Sequence, residues 1–492
     1  MNIYFSDVFE VAPEALEQYG AFNISLISDL PLFIDPFLLF NSKKPEYQRL
    51  HDEIIHYLRF LKDRAITTEL NPGLLNAWYR FPEVKQNYLG FCVGGNSGSG
   101  LGKQFAESLH SNLQALFVNF GHETVTKGSH LEKLCLIKDR VGKDNISDLT
   151  TNLIKGFLLE YTQAFAVKQI GLKFRKRFAI QKVSFNYNTE SWQPGTFDLP
   201  EWRGDYVLLT PKNILTKDDI WINKHDLFED YDSIPESISN DALRAQVNQY
   251  FRAVLPKNPN ESERKEAARK TIVHFPELFD YYIRHKEDHG DKAVSVSHLK
   301  VLESHQLYVE QFKALVELLA KRTDFYGVLG NTHDEARARI NFLKDVIEKQ
   351  DGYKLLYLKG DPIKRENDLQ ILYRFTWFAT PSDVNREVNN GRGPVDFKIS
   401  RGSKDKTLVE FKLAGNTALE RNLESQVEIY EQANDAKKSF KVIIYFSPLE
   451  LAKVVRVLKK LKLEKNPYII LIDARNDNKP SASKARRQPD LL

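Results

Sequence analysis

The spacing of apolar residues predicts alternating helices and strands, most clearly in the carboxyl-terminal third of the chain. Apolar residues recur at helical spacing within Asn367 to Phe378, which predicts an amphipathic helix. Seven further segments follow it, and their composition and periodicity predict strands at Asp383 to Val388, Val395 to Ile399, Thr407 to Leu413, Lys441 to Phe446 and Tyr468 to Ile472, and helices at about Thr417 to Ala433 and Leu449 to Leu463. The order α-β-β-β-α-β-α-β predicts a compact α/β unit.

The rest of the chain carries a different pattern. Residues 1–240 mix helical and strand-like segments, which predicts an α+β region. Residues 241–355 are mostly of helical periodicity, with long helices at Tyr250 to His285 and Leu299 to Lys321 separated by a charged loop, Lys286 to Lys292. The α/β unit then occupies residues 356–475. Residues 476–492 lack apolar periodicity and predict a flexible tail.

Composition excludes some classes of protein but does not identify the class to which this one belongs. The chain has 492 residues, and its 70 Lys and Arg against 66 Asp and Glu give a net charge of +4, which neither requires nor excludes a nucleic-acid partner. Two cysteines argue against a disulfide scaffold and favour a cytoplasmic location. The sequence contains no apolar run of membrane-spanning length, so we expect no membrane association.

The candidate chemistry lies on two of the predicted strands. In a strand, residues i and i+2 project from one face, so Glu410 and Lys412 point together while Phe411 faces the packed side. Asp396 lies fourteen residues earlier, on a strand that a short turn would return beside them. Paired carboxylates hold hard cations such as Mg²⁺, and a neighbouring ammonium offsets phosphate charge.

The same chain provides an internal control for this pattern. Glu-x-Lys also occurs at Glu83 and Glu263, but the first lies beside a proline and the second in a helical stretch, where i and i+2 diverge. The competing interpretation of Asp396, Glu410 and Lys412 is a salt-bridged, exposed face of a sheet. The apolar character of the neighbouring strands argues against it, because unpaired charge is costly there.

Gly393-Pro394-Val395-Asp396 followed by Glu410-Phe411-Lys412 resembles the PD-(D/E)XK nuclease superfamily, whose fold is the restriction-endonuclease-like αβββαβ core. One departure is Val395, which separates the proline from the aspartate. The resemblance implies a Mg²⁺ (or Mn²⁺) site at Asp396 and Glu410, with Lys412 catalytic. It further implies an acidic ligand on the first helix, where Glu366 stands and Asp368 or Glu387 are substitutes.

A second motif lies on the helix after the catalytic strand. Gln426 and Tyr430 form a Gln-x-x-x-Tyr pattern that is similar to RecB-like and Cas4-like nucleases, in which these residues orient the substrate. The resemblance implies a metal-dependent nuclease, with DNA favoured over RNA. A large amino-terminal region ahead of such a nuclease resembles prokaryotic antiphage-defence effectors of the Shedu type. In that case residues 1–240 sense a phage or host trigger, and a homo-oligomer is one option.

Other features keep alternatives open. A nuclease-like fold can serve only to bind nucleic acid or a partner. Nucleotide binding through the glycine-rich loop Gly94 to Lys103 is a third class of function. The loop lacks the residue spacing of a Walker A motif, which argues against a P-loop. A basic helix presents a surface for nucleic acid or simply for solvent through Lys453, Arg456, Lys459 and Lys460. The basic and aromatic stretch Lys173 to Phe178 allows the same two interpretations.

Overall fold

A computed structural model describes residues 3–68, 71–90, 101–115, 120–137, 141–320, 330–377, 380, 382–389, 394–401, 405–424 and 439–479. The architecture is mixed α/β, with most helices in the first 350 residues and the largest sheet near the carboxyl end. None of the described helices is both long and apolar enough to cross a membrane.

Residues up to Lys217 combine helices with two small sheets. Strands β1 and β5 form an antiparallel pair, and β2, β3 and β4 form an antiparallel three-stranded sheet. The strands are β1 (Leu32–Ile34), β2 (Arg175–Asn186), β3 (Ser191–Trp202), β4 (Asp205–Tyr206) and β5 (Leu215–Lys217). The helices are α1 (Phe5–Val8), α2 (Pro13–Tyr19), α3 (Pro36–Phe40), α4 (Pro45–Thr67), α5 (Pro72–Leu74), α6 (Lys103–Ala115), α7 (Lys133–Ile137), α8 (Lys143–Leu153) and α9 (Lys155–Gln169).

The next region is helical, as the sequence predicts, but its helices are shorter. The predicted helix Tyr250 to His285 is divided among three, because Pro256, Pro259 and Pro276 cannot continue a helix. The predicted loop Lys286 to Lys292 is wrong, since only His289 separates two helices there. The helices are α10 (Lys224–Glu229), α11 (Ser233–Glu236), α12 (Asp241–Val254), α13 (Glu261–His274), α14 (Leu278–Asp288), α15 (Gly290–Ser304), α16 (Phe312–Ala320) and α17 (Thr332–Lys349).

Shorter helical turns complete the framework. In the described part of the chain, π-helical segments occur at Leu75–Tyr79 and His305–Gln311. The 3₁₀ turns described there lie at Lys85–Asn87, Leu172–Phe174, Lys212–Ile214 and Gly352–Leu356. The His305–Gln311 segment joins α15 to α16 without a loop, which explains the continuous apolar periodicity from Leu299 onward.

The carboxyl-terminal elements follow the predicted order closely. After the pair β6 (Tyr357–Leu358) and β7 (Asp361–Pro362) come α18 (Glu366–Thr376), β8 (Asp383–Asn389), β9 (Pro394–Arg401), β10 (Asp405–Leu413), the helical segment 419–424, β11 (Ser439–Tyr445), α19 (Pro448–Lys460) and β12 (Ile469–Asp473). Ser447 caps α19 by accepting from the Glu450 N–H at 3.2 Å, and Pro448 fits the first helical turn.

The five strands form one mixed sheet in the order β12-β11-β10-β9-β8. β8, β9 and β10 are antiparallel, whereas β10, β11 and β12 are parallel. Phe397 and Phe411 lie against Tyr373 of α18, with ring centroids 5.1 and 4.7 Å away, so α18 covers one face. On the other face Ile443 and Tyr445 belong to a separate apolar cluster that includes Val454, Val457 and Leu458 of α19. The sheet is therefore packed between helices.

The main apolar core includes buried residues from each of the three predicted regions, for example Phe22, Leu343 and Phe411. The phenol of Tyr4 also reaches the backbone carbonyl of Tyr308. The proposed division at residues 240 and 355 stays a prediction. The sheet β8–β12 packs on this core through one face, and its opposite face carries polar as well as apolar side chains. That arrangement is what positions the candidate site.

Candidate active site in the carboxyl-terminal sheet

Asp396 lies on β9 where the strand pairing changes. The ladder between β9 and β10 ends at Phe397 and Val409. Asp396 Oδ2 then accepts a hydrogen bond from the Phe411 N–H at 2.6 Å, which fixes the carboxylate across the strand junction. Burial raises the pKa of Asp396 to about 6, against the opposing effects of Lys412 and of the Phe411 N–H. The carboxylate is held in place and only 8% of the residue is exposed.

Glu410 and Lys412 project together from β10, as the alternation of the strand predicts. Lys412 Nζ lies 3.0 Å from Glu410 Oε1, and both residues are buried. Phe411 points to the opposite face and is fully buried. The predicted hairpin between β9 and β10 is confirmed, because the two strands pair antiparallel.

Glu366 begins α18 and reaches the end of β10. Lys412 Nζ donates to Glu366 Oε2 at 3.1 Å, and the other carboxylate oxygen accepts from the Asn416 amide at 2.8 Å. The two substitutes named from the sequence differ from it. Asp368 accepts from the Tyr308 hydroxyl at 2.6 Å in another buried environment, and the side chain of Glu387 lies outside the described residues.

Lys441 is a member of this cluster that the sequence analysis missed. It is the register partner of Glu410 on the parallel strand β11, and its ammonium contacts the Glu410 carboxylate. Burial lowers the pKa of Lys441, and the Asp396 carboxylate opposes that effect. The available signal was a single lysine among the apolar residues Phe440, Val442, Ile443 and Ile444 of β11.

The described cluster therefore combines three carboxylates with two ammonium groups. Because Lys412 lies between Glu366 and Glu410, it keeps those two carboxylates apart. Among the residues that the structure describes, no three His, Cys, Asp or Glu side chains are arranged so that they could hold a metal ion together. The excess of carboxylate oxygens is nevertheless the donor chemistry that Mg²⁺ and Mn²⁺ select, so the residues fit such an ion by type and by charge.

The other predicted residues separate into different groups. Gln426 and Tyr430 lie outside the described residues. Lys453 donates to the backbone carbonyls of Ala414 and Asn416, at 3.0 and 2.6 Å. It thus ties α19 to the end of β10, which is a structural contact.

Three further basic residues of α19 are exposed. Lys460 forms an ion pair with Glu420, while Arg456 and Lys459 lie on the solvent-facing side of the helix. A nucleic acid could reach these three side chains. The assignment of the helix to nucleic-acid binding stays a prediction.

The structure adds little to two other sequence features, the glycine-rich loop and the stretch of basic and aromatic residues. Most of the loop Gly94 to Lys103 lies outside the described residues; Lys103 begins α6 and lies 3.7 Å from Glu107. In the basic stretch, Lys173 pairs with Glu10 at 2.8 Å and Arg175 with Asp198 at 2.7 Å. Those two positive charges are already compensated.

Two family models match the chain. "Domain of unknown function (DUF8370)" matches residues 10–223, and "Domain of unknown function (DUF8371)" matches residues 332–448. The second match contains Glu366, Asp396, Glu410, Lys412 and Lys441, so the whole cluster lies within one family segment. No curated protein and no solved structure matches the chain.

Proposed function

We propose that the chain is a metal-dependent nuclease that hydrolyses phosphodiester bonds, with DNA favoured over RNA. The observation that carries this proposal is the meeting of Asp396, Glu410, Lys412 and Glu366 at one end of β10. These four residues come from α18, β9 and β10, and carboxylates outnumber ammonium groups among them. The resemblance to PD-(D/E)XK nucleases gives the same four residues the same roles.

The chemistry assigns a part to each side chain. A water molecule attacks phosphorus, the P–O bond to one sugar breaks, and the departing oxygen takes up a proton. Asp396, Glu410 and Glu366 would hold Mg²⁺ or Mn²⁺, which supplies Lewis-acid stabilisation of the developing charge. Lys412 offers a positive donor to a phosphate oxygen. Phe411 anchors the strand, and its N–H keeps Asp396 in position.

The wider biological role follows the same resemblance. An effector of prokaryotic antiphage defence would join this nuclease to an amino-terminal region that detects a phage or host trigger. The alternative is a non-catalytic protein that binds nucleic acid or a partner through a nuclease-like fold. Two observations favour that alternative: Lys412 is already paired with two carboxylates, and the described residues contain no ready three-ligand metal cluster.

Cleavage assays distinguish the two functions. Plasmid, linear and single-stranded DNA and a structured RNA are incubated with Mg²⁺, with Mn²⁺ or with EDTA. We expect metal-dependent products from the wild-type chain and a loss of at least about 100-fold in Lys412→Ala. Lys406→Ala is the matched control, because Lys406 lies exposed on the same strand.

The outcomes separate the proposals clearly. Equal cleavage by the wild type and Lys412→Ala would place the active site elsewhere. Nucleic-acid binding by both chains with cleavage by neither, under every metal condition, would support the non-catalytic alternative. The substrate that is cut identifies the nucleic acid.

A further inference from the structure

A cavity lies between the amino-terminal region and the carboxyl-terminal sheet, and none of the clustered carboxylates or ammonium groups lines it. Its volume is about 250 Å³, which suits one small molecule and is too small for a nucleic-acid duplex. Residues before position 207 supply most of the wall, and Arg374 of α18 and Val384 of β8 supply the rest. The Arg374 guanidinium donates to the Val384 carbonyl at 2.9 Å, which fixes that side. The cavity therefore lies between the two family segments.

Aromatic side chains form one part of the wall. Tyr88, Trp202 and Tyr206 line the cavity, and each is half-buried. The indole N–H of Trp202 is covered from solvent and has no acceptor among the described residues. A buried donor without a partner is costly, and a ligand with an acceptor would satisfy it. Flat rings of this kind stack on the planar face of a nucleobase.

Arg203 is held at the cavity by an unusual backbone conformation. β3 and β4 are joined by the two-residue turn Arg203-Gly204, in which Arg203 has a φ of 52°. Asparagine is the favoured residue at that place in such a turn, so an arginine there is not explained by the turn itself. Its guanidinium lies 5.2 Å from the Trp202 ring, and no carboxylate in the described part of the chain pairs with it. The guanidinium can therefore bind a phosphate.

A lysine and an aspartate complete the polar lining. Lys85 Nζ lies 4.0 Å from Asp205 Oδ2, and half of the Lys85 side chain is exposed. Asp205 is fixed by hydrogen bonds from the Gln86 amide at 3.1 Å and from the Tyr206 N–H at 2.8 Å. A carboxylate has further lone pairs, which accept from the hydroxyl or amino groups of a nucleoside. A purely anionic ligand would not use the carboxylate, and an apolar ligand would use neither charge.

We propose that this cavity binds a mononucleotide. Its base lies against Trp202, its phosphate binds Arg203 and Lys85, and Asp205 accepts from its ribose or amino group. The inference goes beyond the proposed nuclease activity and does not depend on it. Arg374 follows Glu366 by eight residues on α18, about 12 Å along the helix axis, so the nucleotide would contact a helix that also carries a residue of the candidate active site.

Isothermal titration calorimetry of the full-length chain in EDTA tests this proposal. The probes are the 5′-monophosphates of adenosine, guanosine, cytidine and uridine, and we expect at least one of them to bind, with one nucleotide per chain. Arg203→Asn removes the guanidinium and fits the left-handed turn, so its melting temperature should not fall. We expect its affinity for the nucleotide to fall on the order of tenfold or more. Arg177→Thr removes an exposed arginine of β2 that does not line the cavity, and it should bind as wild type.

Two further variants test where the nucleotide lies. Lys103→Met changes the end of the glycine-rich loop, and Lys412→Ala changes the candidate active site. Both should bind the nucleotide as wild type does. A loss of binding in either variant, with normal binding in Arg203→Asn, would place the nucleotide elsewhere and overturn the inference.

The ligand class is tested with partial ligands. Failure of all four nucleotides to bind would overturn the inference, even if a single-stranded oligonucleotide binds. Ribose 5-phosphate or inorganic phosphate that binds as tightly as the nucleotide would contradict recognition of the base. The free nucleoside binding equally tightly would contradict recognition of the phosphate. Nucleotide binding by a chain that cuts no nucleic acid would support the cavity while the nuclease proposal fails.

Discussion

Among the described residues from 330 onward, the buried ionic clusters around Glu335 and around Glu410 are built in opposite ways. Glu335 of α17 is a single carboxylate surrounded by donors. It accepts from the Arg339 guanidinium at 2.9 and 3.1 Å, from Thr380 at 2.6 Å and from Ser382 at 2.6 Å, and it pairs with Arg401. Around Glu410, three carboxylates share two ammonium groups.

The pKa values follow this difference in donors. Burial would raise the pKa of Glu335, but the hydrogen bonds from Ser382, Thr380 and Arg339 outweigh it, and the pKa is lowered. Burial does raise the pKa of Asp396, to about 6. A carboxylate with many donors stabilises the fold, whereas carboxylates that outnumber the ammonium groups beside them suit a site that receives a cation. The comparison teaches that burial of charge alone does not identify function.

Replacing the central glutamate of each cluster by glutamine gives the largest expected difference in stability between the two clusters. Glu335→Gln leaves two arginines without their anion, and arginine cannot shed its proton, so we expect a loss of about 3–5 kcal/mol in the free energy of unfolding. Glu410→Gln should lower the free energy of unfolding by about 1 kcal/mol or less. Lys412 keeps its ion pair with Glu366, and Lys441 can lose its proton. Calorimetric or fluorimetric melting in metal-free buffer measures both. Equal losses would mean that the two clusters are energetically alike.

A third carboxylate tests whether a raised pKa alone marks a site. Burial, followed by the charges of Glu83 and Asp144, raises the pKa of Asp148 on α8 to about 7. The folded chain therefore binds a proton that an unfolded chain releases near pH 4, and stability falls as the pH rises from about 4 to 7. We expect Asp148→Asn to be more stable than wild type by about 1–3 kcal/mol at pH 8, and by almost nothing at pH 4.

Asp63→Asn, which changes an exposed residue of α4, provides the control for Asp148. Thermal melts from pH 4 to 8 give the measurement. A constant difference between Asp148→Asn and wild type across this range would contradict the assigned cause. Asp148 lies on α8 and not in the carboxyl-terminal sheet, so we expect its variant to leave the binding of Mg²⁺ or Mn²⁺ unchanged.

The variant Asp396→Asn tests the same comparison at the candidate site itself. Removing one of the excess carboxylates should raise stability in metal-free buffer at pH 8 by about 1 kcal/mol. A saturating concentration of Mg²⁺ should stabilise the wild-type chain, through binding to the folded state, and should not stabilise the variant. Melting temperatures with Mg²⁺ and with EDTA measure both effects. Equal stabilisation of the two chains by Mg²⁺ would place the ion elsewhere.

The smallest effects concern the basic helix α19. Lys453→Met loses two hydrogen bonds to backbone carbonyls and should cost about 1 kcal/mol in stability. Lys460→Met removes an exposed ion pair and should leave the melting temperature unchanged. Binding of a fluorescent DNA duplex to both variants is measured at low and at high salt. If α19 contacts nucleic acid, we expect Lys460→Met to weaken DNA binding at low salt. A smaller loss of DNA binding in Lys460→Met than in Lys453→Met would contradict a DNA-binding role for the exposed side of α19.

The local sequence was sufficient to predict most of the carboxyl-terminal elements. The strand β10 was predicted as Thr407 to Leu413 and observed as Asp405–Leu413, and the antiparallel return of β9 followed from the short connection. Alternation also placed Glu410 beside Lys412 and Phe411 in the core. These features depend on residues that are near one another in sequence, and a period of two leaves few choices.

The contributions of Lys441 and Lys453 could not be predicted in this way. Lys441 meets Glu410 only because β11 pairs parallel with β10, across 31 positions of sequence. Lys453 looked like part of a basic surface, yet it reaches the carbonyls at the end of β10. Both outcomes depend on which strands and helices become neighbours.

The sequence by itself determined the order of the carboxyl-terminal elements, the face on which each side chain of β10 lies, and the identity of the charged residues. Only the tertiary structure decided that two lysines, from β10 and β11, share three carboxylates from α18, β9 and β10. The physical reason is that periodicity and propensity act over a few residues, whereas the charge balance of a buried site depends on every side chain that packing brings within a few ångströms.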